Sequence, residues 1–163
     1  GFHTSHNFAP NELAKPYVQR YREEWAKHRN DEGRFNGHVT DPLIGNTRHI
    51  YIASSDEKAI EEARGPFEVW SRHISYLSGR FSNRPTDSLT LERRMENGTA
   101  LIGSPDTVRR QIEEMVTETG INYFLGVFNF GDMSTEKVLG SLDLFTREIV
   151  PAFADLEPAS LPA

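Results

Sequence analysis

The chain has 163 residues, which is enough for one domain with a buried core. Its net charge of −6 argues against a nucleic-acid partner, and the lack of cysteine excludes disulfides, thiolate metal sites and cysteine nucleophiles. The lack of cysteine also favours a cytoplasmic location. The longest uncharged run, Thr119 to Gly131, is too short for a membrane-spanning helix, so we expect no membrane partner.

The amino-terminal third predicts a short strand and a long helix. Gly1–Phe8 fits a strand with its exit loop. Asn11–His28 is helical by pattern, because apolar side chains recur at three- and four-residue steps: Tyr17, Val18, Tyr21 and Trp25. Pro16 places the regular start of this helix near Lys15, since proline disrupts a helix interior. Pro42–Asn46 reads as a loop.

The middle third predicts a second strand and helix. Arg48–Ala53 is rich in β-formers and indicates a strand. A helix follows over Asp56–Leu77, with a hydroxyl cap and acids in its first turn, and Gly65–Pro66 predicts a kink in it. The polar stretch Gly79–Ser88 is expected to be an exposed excursion.

The closing third reads as strand, helix, strand, helix. Ala100–Gly103 is the first strand, and Ser104 caps a helix that ends at Gly120. Tyr123–Phe130 is apolar on both faces, as in a parallel strand that is covered on both sides. Ser134 opens the last helix. The order predicts an α/β fold with helices packed on a parallel sheet.

Four motifs of this third are specific in combination: Thr99–Val108, Gly120–Phe124, Phe128–Met133 and Ser141–Phe153. Together they resemble the C-terminal part of the luciferase-like monooxygenases, which are flavin-dependent (β/α)₈-barrel enzymes. Asp106 stands where that family usually has glutamate. The resemblance is strong over Thr99–Phe153, and moderate over Ile50–Ala63 and Pro16–Trp25.

The resemblance implies that residues 1–156 are the C-terminal part of an incomplete (β/α)₈ TIM barrel, and that 157–163 are a frayed tail. The chain would begin near the sixth barrel strand. The family's catalytic histidine and flavin-phosphate loop would then lie upstream of Gly1, so no catalytic residue is assigned. The cofactor implied is FMN, with deazaflavin F420 as an alternative.

Chemistry in such barrels takes place at the carboxyl ends of the strands. At the end of the last strand, Phe128 or Phe130 could wall a flat ring, or both could fill the core. Asn129 offers a donor and an acceptor for polar groups. Asp132 is a site candidate by position, although it is also expected to cap the last helix.

Three further candidates for cofactor binding lie near other strand ends. Ser104, at a helix N-terminus, could hold an anion or simply cap the helix. His3 and His6 have a His-x-x-His spacing, but no further ligands for a metal are evident nearby. We therefore expect no metal site, and place these histidines on the flavin side of the barrel mouth.

Two functions stay open. The chain is either the C-terminal part of a flavin-dependent monooxygenase, which uses reduced flavin and oxygen to oxidise an organic substrate, or a non-catalytic half-barrel that acts as an interaction module. A half-barrel leaves a sheet edge open, which favours a homo-oligomer or association with a missing N-terminal half. The DNA upstream of Gly1 separates the two, because only a monooxygenase needs further strands and a histidine-bearing loop there.

Overall fold

A computed structural model of the chain describes residues 1–82 and 90–154. Parallel strands alternate with helices, which confirms the predicted α/β class. The elements are β1 Thr4–Asn7, α1 Asn11–His28, β2 Ile44–Ile52, α2 Asp56–Phe81, α3 Leu91–Glu96, β3 Ala100–Gly103, α4 Pro105–Thr119, β4 Tyr123–Val127, α5 Thr135–Leu144, a π-helical turn at Phe145–Ile149 and α6 Val150–Phe153.

The central strand of the sheet is β2, and its three pairings are all parallel. β1 pairs with Ile44–Thr47, β4 with Gly45–His49, and β3 with His49–Ile52. Because β1 and β4 pair with the same residues of β2, they lie on its opposite edges. His49 pairs with both β4 and β3, so these two strands also lie on opposite edges of β2. β3 therefore lies on the same edge as β1, just beyond the end of β1. Within the described residues, β4 pairs with β2 alone.

The helices cover both faces of this sheet. The chain crosses from β2 to β3 in one direction, and then from β3 back past β2 to β4. Right-handed crossovers place the connecting helices on opposite faces when the direction reverses in this way. Ile50 and Ile52 accordingly pack with Val108 and Ile112 of α4, whereas Tyr51 points to the other face and packs with Phe67 of α2. The sheet thus separates two apolar clusters.

The start of β2 corrects the prediction of a loop at Pro42–Asn46. β2 begins at Ile44, because neighbouring strands pair with both of its edges there. The side chain of Asn122 holds this start in place. Its Oδ1 accepts from the backbone N–H of Ile44 at 2.7 Å, and its Nδ2 donates to the carbonyl of Pro42 at 3.1 Å.

α1 has the bounds predicted from the pattern, Asn11–His28, but it is regular from Asn11 and not from near Lys15, and α2 is longer than predicted. α1 begins at Asn11 and includes Pro16, and its first hydrogen bonds run to the carbonyl of Pro10. α2 passes through Pro66 and continues to Phe81, so the start of the predicted excursion is helical. Positions 83–88 of that excursion lie outside the described residues, as does the predicted tail at 157–163.

Strand β4 is shorter and less covered than predicted. It ends at Val127, and Tyr123 is 43% exposed. The expectation of a strand covered on both sides is therefore wrong for the described part of the chain, in which no residue of β4 is fully buried. The cap of α5 is Ser134, whose Oγ accepts from the N–H of Lys137, and not Asp132. No helix among the described residues has the length and apolar character needed to cross a bilayer.

Candidate active site at the carboxyl ends of the strands

The carboxyl ends of the strands lie at different levels along β2. β1 ends opposite Thr47, β4 opposite His49, and β3 opposite Ile52. At about 3.3 Å per residue, the exits of β4 and β3 are offset by roughly 10 Å along the strand direction. The candidate residues therefore separate into two groups, one at the exits of β2 and β3 and one beside His49.

At the exits of β2 and β3, a carboxylate fills the N-terminus of α4. Oδ1 of Asp56 accepts from the backbone N–H of Ser104 at 2.6 Å, and Oδ2 accepts from the hydroxyl of Thr107 at 2.9 Å. The backbone hydrogen bond from Ser104 is the main cause that lowers the pKa of Asp56 below its ordinary value. Ser104 also caps α4, since its Oγ accepts from the N–H of Thr107 at 3.4 Å.

This junction has no room for a side chain at Gly103. A Cβ there would lie 2.8 Å from both Oδ1 of Asp56 and Cγ2 of Thr107. The two turns that follow β2 and β3 are therefore locked together. The position at which Ser104 would hold an anion already carries the negative charge of Asp56.

Just after β4, an aromatic side chain is buried in the core while the residue before it is exposed to solvent. Phe130 is buried, whereas Asn129 is exposed. Gly131 then turns the chain against α2 with a φ of +61°, and a Cβ at that position would lie 1.8 Å from the carbonyl oxygen of Pro66. Phe128 packs edge-on against Phe145, with ring centroids 5.2 Å apart.

Phe130 belongs to an aromatic cluster around His49, a residue that the sequence reading did not single out. The His49 ring stacks on Phe8 at 4.5 Å and meets Trp70, Phe130 and Phe67 edge-on at 4.3, 5.2 and 5.4 Å. Neither ring nitrogen has a hydrogen-bond partner among the described residues. Burial, and secondly the charge of Arg94, lowers the pKa of His49 to about 3, so the imidazole is neutral.

Arg48 was also missed, and it is fully buried on the opposite face of β2. Its Nη1 donates to Oδ1 of Asn46 and to the carbonyl of Thr47 at 2.5 and 2.9 Å, and its Nη2 donates to Oδ1 of Asn11 at 2.9 Å. Burial, together with the charge of Arg94, lowers the pKa of Arg48 to about 10. Arg48 and His49 are adjacent titratable side chains in a segment predicted to be a buried strand. This is the signal that could have identified both residues.

The two amino-terminal histidines lie apart from these groups. His3 precedes β1, at the end opposite to the strand exits, and its Nδ1 accepts from the N–H of Leu43 at 2.8 Å. His6 lies within β1 and stacks on Tyr17 at 5.2 Å. Burial lowers the pKa of His6. Their assignment to the cofactor stays a prediction, although β1 is Thr4–Asn7, so that only His6 lies near its carboxyl end and His3 lies before its start.

A cavity of about 700 Å³ lies elsewhere, beside the start of β3. Its walls come from the first turn of α1, from the turn that enters β3 and from α4, and they include Asn11, Gly98, Leu101, Gln111 and Glu118. None of the five cofactor candidates lines it. The described part of the chain holds no group of three or more histidine, cysteine or acidic residues that could bind a metal ion.

Comparison with known proteins identifies the family that this chain matches. The model of the luciferase-like monooxygenases matches residues 1–123. An uncharacterised protein of Sinorhizobium fredii, y4wF, is 27% identical over 99 residues, which are 60% of this chain and 29% of that protein.

Solved structures of two monooxygenases share the fold. Monooxygenase RslO1 from Streptomyces bottropensis aligns with a TM-score of 0.72 at 18% identity, over 93% of this chain and 42% of its own. The oxygenating constituent of 3,6-diketocamphane monooxygenase from Pseudomonas putida, solved in complex with FMN, aligns with a TM-score of 0.60 at 24% identity, over 90% of this chain and 42% of its own. This chain therefore spans less than half the length of either enzyme. It belongs to the luciferase-like monooxygenase family.

Proposed function

We propose that this chain is the C-terminal portion of a flavin-dependent monooxygenase, in which reduced flavin and oxygen oxidise a small organic substrate. The observation that carries the proposal is the match of the family model over residues 1–123. The parallel α/β fold, shared with two monooxygenases, supports it. We assign residues 1–156 to the barrel portion. The absence of cysteine supports a cytoplasmic location.

FMN is the cofactor we propose, since a structure with this fold was solved in complex with FMN; deazaflavin F420 stays the alternative. The flavin would supply the redox chemistry, and the protein would bind and orient it. Of the five candidates, we propose that His3, His6 and Asn129 contribute to its site in the whole protein. Ser104 and Phe130 would contribute only if the whole protein displaced Asp56 from Ser104 and opened the ring cluster around Phe130. Asn129, at the exit of β4, and His3 are the two exposed residues of the five.

The described residues alone do not fit the phosphate of FMN. A helix N-terminus is the usual cradle for a phosphate, but at α4 the carboxylate of Asp56 already accepts from Ser104 and Thr107. A phosphate there would meet a negative charge instead of free donors. Phe130 is buried under His49 and presents no open face to a flat ring.

A flavin titration tests the proposal. We expect the purified chain to bind FMN with a dissociation constant weaker than about 100 μM, measured by flavin fluorescence. A longer product that includes the upstream coding sequence should bind at least tenfold more tightly. Tight, stoichiometric quenching by the short chain would contradict the argument from Asp56. An upstream sequence without strands and a histidine-bearing loop would contradict the monooxygenase assignment.

The second candidate, a non-catalytic half-barrel, is favoured by one observation: among the described residues β4 is paired on one edge only, and its Tyr123 is 43% exposed. We propose that this edge makes the chain self-associate, or associate with an N-terminal half. Light scattering on the purified chain tests self-association, and a monomer at every concentration would count against it.

A further inference from the structure

The cavity beside the start of β3 is walled by elements of this chain. These walls are the first turn of α1, the turn that leads from α3 into β3, and one side of α4. Val18 of α1 and Met115 of α4 belong to one buried apolar cluster, which holds the walls together. The cavity lies at the amino end of β3, away from the strand exits. Its volume of about 700 Å³ is typical of small-molecule sites.

Part of the cavity surface is hydrocarbon. Four apolar side chains line it: Leu13, Met95, Leu101 and Met115. Leu101 and Met115 are buried and so form the floor, whereas Leu13 is exposed at the rim. An alkyl chain that covers this floor removes apolar surface from water on both sides of the contact, which favours binding.

The charged walls of the cavity consist of two ion pairs and two further carboxylates. The ion pairs are Arg93–Glu96 and Arg110–Glu114, with N···O distances of 3.2 and 2.8 Å. The further carboxylates belong to Glu12 and Glu118, and neither has a cationic partner in the described part of the chain. Each guanidinium that lines the cavity is thus neutralised, whereas two carboxylates are not.

The carboxylate of Glu118 is held in one position by a chain of hydrogen bonds that starts in the core. Nη2 of the buried Arg48 donates to Oδ1 of Asn11 at 2.9 Å, and Nδ2 of Asn11 donates to Oε2 of Glu118 at 2.8 Å. Because an arginine side chain only donates, the first bond fixes which end of the amide faces Glu118. A carboxylate that is already ordered loses less conformational entropy when it binds a ligand.

We propose that this cavity binds a primary alkylammonium ion, at a site separate from the flavin chemistry proposed above. The ammonium group donates to the carboxylates of Glu118 and Glu12, and the alkyl chain lies on the floor. An anion would meet two carboxylates, and a neutral ligand would leave them without a counter-charge. A metal ion fits less well, because the described residues hold no group of three or more acidic, histidine or cysteine ligands.

The three methionines of the chain allow the site to be observed directly. Met95 and Met115 line the cavity, whereas Met133 is buried in the cluster that contains Phe67 and Phe130. In a chain labelled with ¹³C at the methionine methyl groups, hexylamine at pH 7 should shift the NMR signals of Met95 and Met115 and leave Met133 unchanged. Hexanol and hexanoate, which carry the same alkyl chain without the positive charge, should bind at least tenfold more weakly.

A charge-neutral variant tests the part played by Glu118. Glu118→Gln keeps an oxygen that can accept from Asn11, but it removes the negative charge. We expect hexylamine to bind this variant at least tenfold more weakly, and hexanol to bind it as it binds the unmodified chain. Glu113→Gln is the matched control, because it removes the same charge from an exposed position of α4 outside the cavity. It should bind hexylamine like the unmodified chain.

Four results would overturn the inference. The first is an absence of shifts at Met95 and Met115 with hexylamine at about 10 mM. The second is equal binding of hexylamine and hexanol, which would mean that the charge is not recognised. The third is tighter binding of hexanoate, and the fourth is an equal loss in Glu118→Gln and Glu113→Gln. If circular dichroism shows that a variant is unfolded, the comparison of the three ligands on the unmodified chain decides. No arm uses flavin, so failure leaves the proposed function intact.

Discussion

A neutral imidazole within a cluster of rings makes this fold sensitive to acid. His49 has no hydrogen-bond partner among the described residues, and four aromatic side chains enclose it. Its pKa of about 3 lies below the ordinary value of 6.5, so the unfolded chain binds a proton that the folded chain excludes. The free energy of unfolding must therefore fall as the pH falls from about 6.5 towards 3.

Replacement of this residue gives the first prediction. Protonation of His49 in the unfolded chain should lower the free energy of unfolding of the unmodified chain by about 2 kcal/mol between pH 7 and pH 5. His49→Phe keeps a ring in the cluster but cannot be protonated, so its stability should change less over the same interval. Urea unfolding at both pH values measures the difference. His73→Gln, at an exposed position, should keep the full pH dependence, and an equal loss in His49→Phe would contradict the role of His49.

At the residue scale, capping was predictable and burial was not. Ser104 and Ser134 were recognised as helix starts, because a cap needs only a hydroxyl and the next three residues. His49 and Arg48 were not recognised, because their burial depends on rings and acceptors from distant parts of the chain. Phe8, Trp70 and Asn11 are such partners.

Two elements are joined by a single carboxylate. Asp56, in the first turn of α2, accepts from Ser104 and Thr107 at the start of α4. The two helices lie on opposite faces of the sheet, so this contact ties both faces together at the strand exits. Because folding lowers the pKa of Asp56, the contact stabilises the chain above the unfolded pKa, and this contribution is lost as the pH falls through the lower, folded pKa.

Removal of that carboxylate gives the second prediction. Asp56→Ala leaves the N–H of Ser104 and the hydroxyl of Thr107 without their acceptor, so the free energy of unfolding should fall by about 1–3 kcal/mol. Asp106→Ala is the control, since Asp106 lies in the first turn of α4 with its side chain 89% exposed and paired with Arg109. Its effect in urea unfolding should stay within about 0.5 kcal/mol. Equal losses in the two variants would show that the contact does not stabilise the fold.

Element boundaries were predicted best where local chemistry sets them. β3 and the end of α4 at Gly120 follow from β-rich residues and a left-handed glycine with a φ of +73°. The start of β2 at Ile44 was missed, because Gly45 and Asn46 favour loops and are held in a strand only by pairing on both edges. The regular start of α1 at Asn11, ahead of Pro16, was missed for a related reason: burial of Ala14 and Val18 outweighs the cost of the proline.

The strand order of the whole molecule is set by the pairing of the last strand, β4, with the central strand, β2. The alternation of strands and helices predicts that the strands are parallel. It does not predict their order, because the sequence pattern is the same whichever edge of β2 a later strand pairs with. The pairing of β4 with β2 then decides which helix covers which face. It also leaves the outer edge of β4 open among the described residues. Because β1, β3 and β4 pair with different parts of β2, the candidate residues at the strand exits lie at different positions along β2.

The attachment of β4 to this sheet gives the last prediction. Asn122 precedes β4 and bonds both to Ile44 and to Pro42, so its side chain clamps the last strand to the beginning of the central one. In Asn122→Ala the N–H of Ile44 loses its acceptor, at a cost of about 1–3 kcal/mol. Because the described residues pair with one edge of β4 only, this loss should open β4 locally while β3, which pairs further along β2, stays closed. Hydrogen exchange followed by mass spectrometry should show β4 exchanging at least several-fold faster in the variant, with β3 unchanged. Equal acceleration of both strands would mean that the sheet opens only as a unit, and that Asn122 stabilises the fold as a whole instead of anchoring its edge.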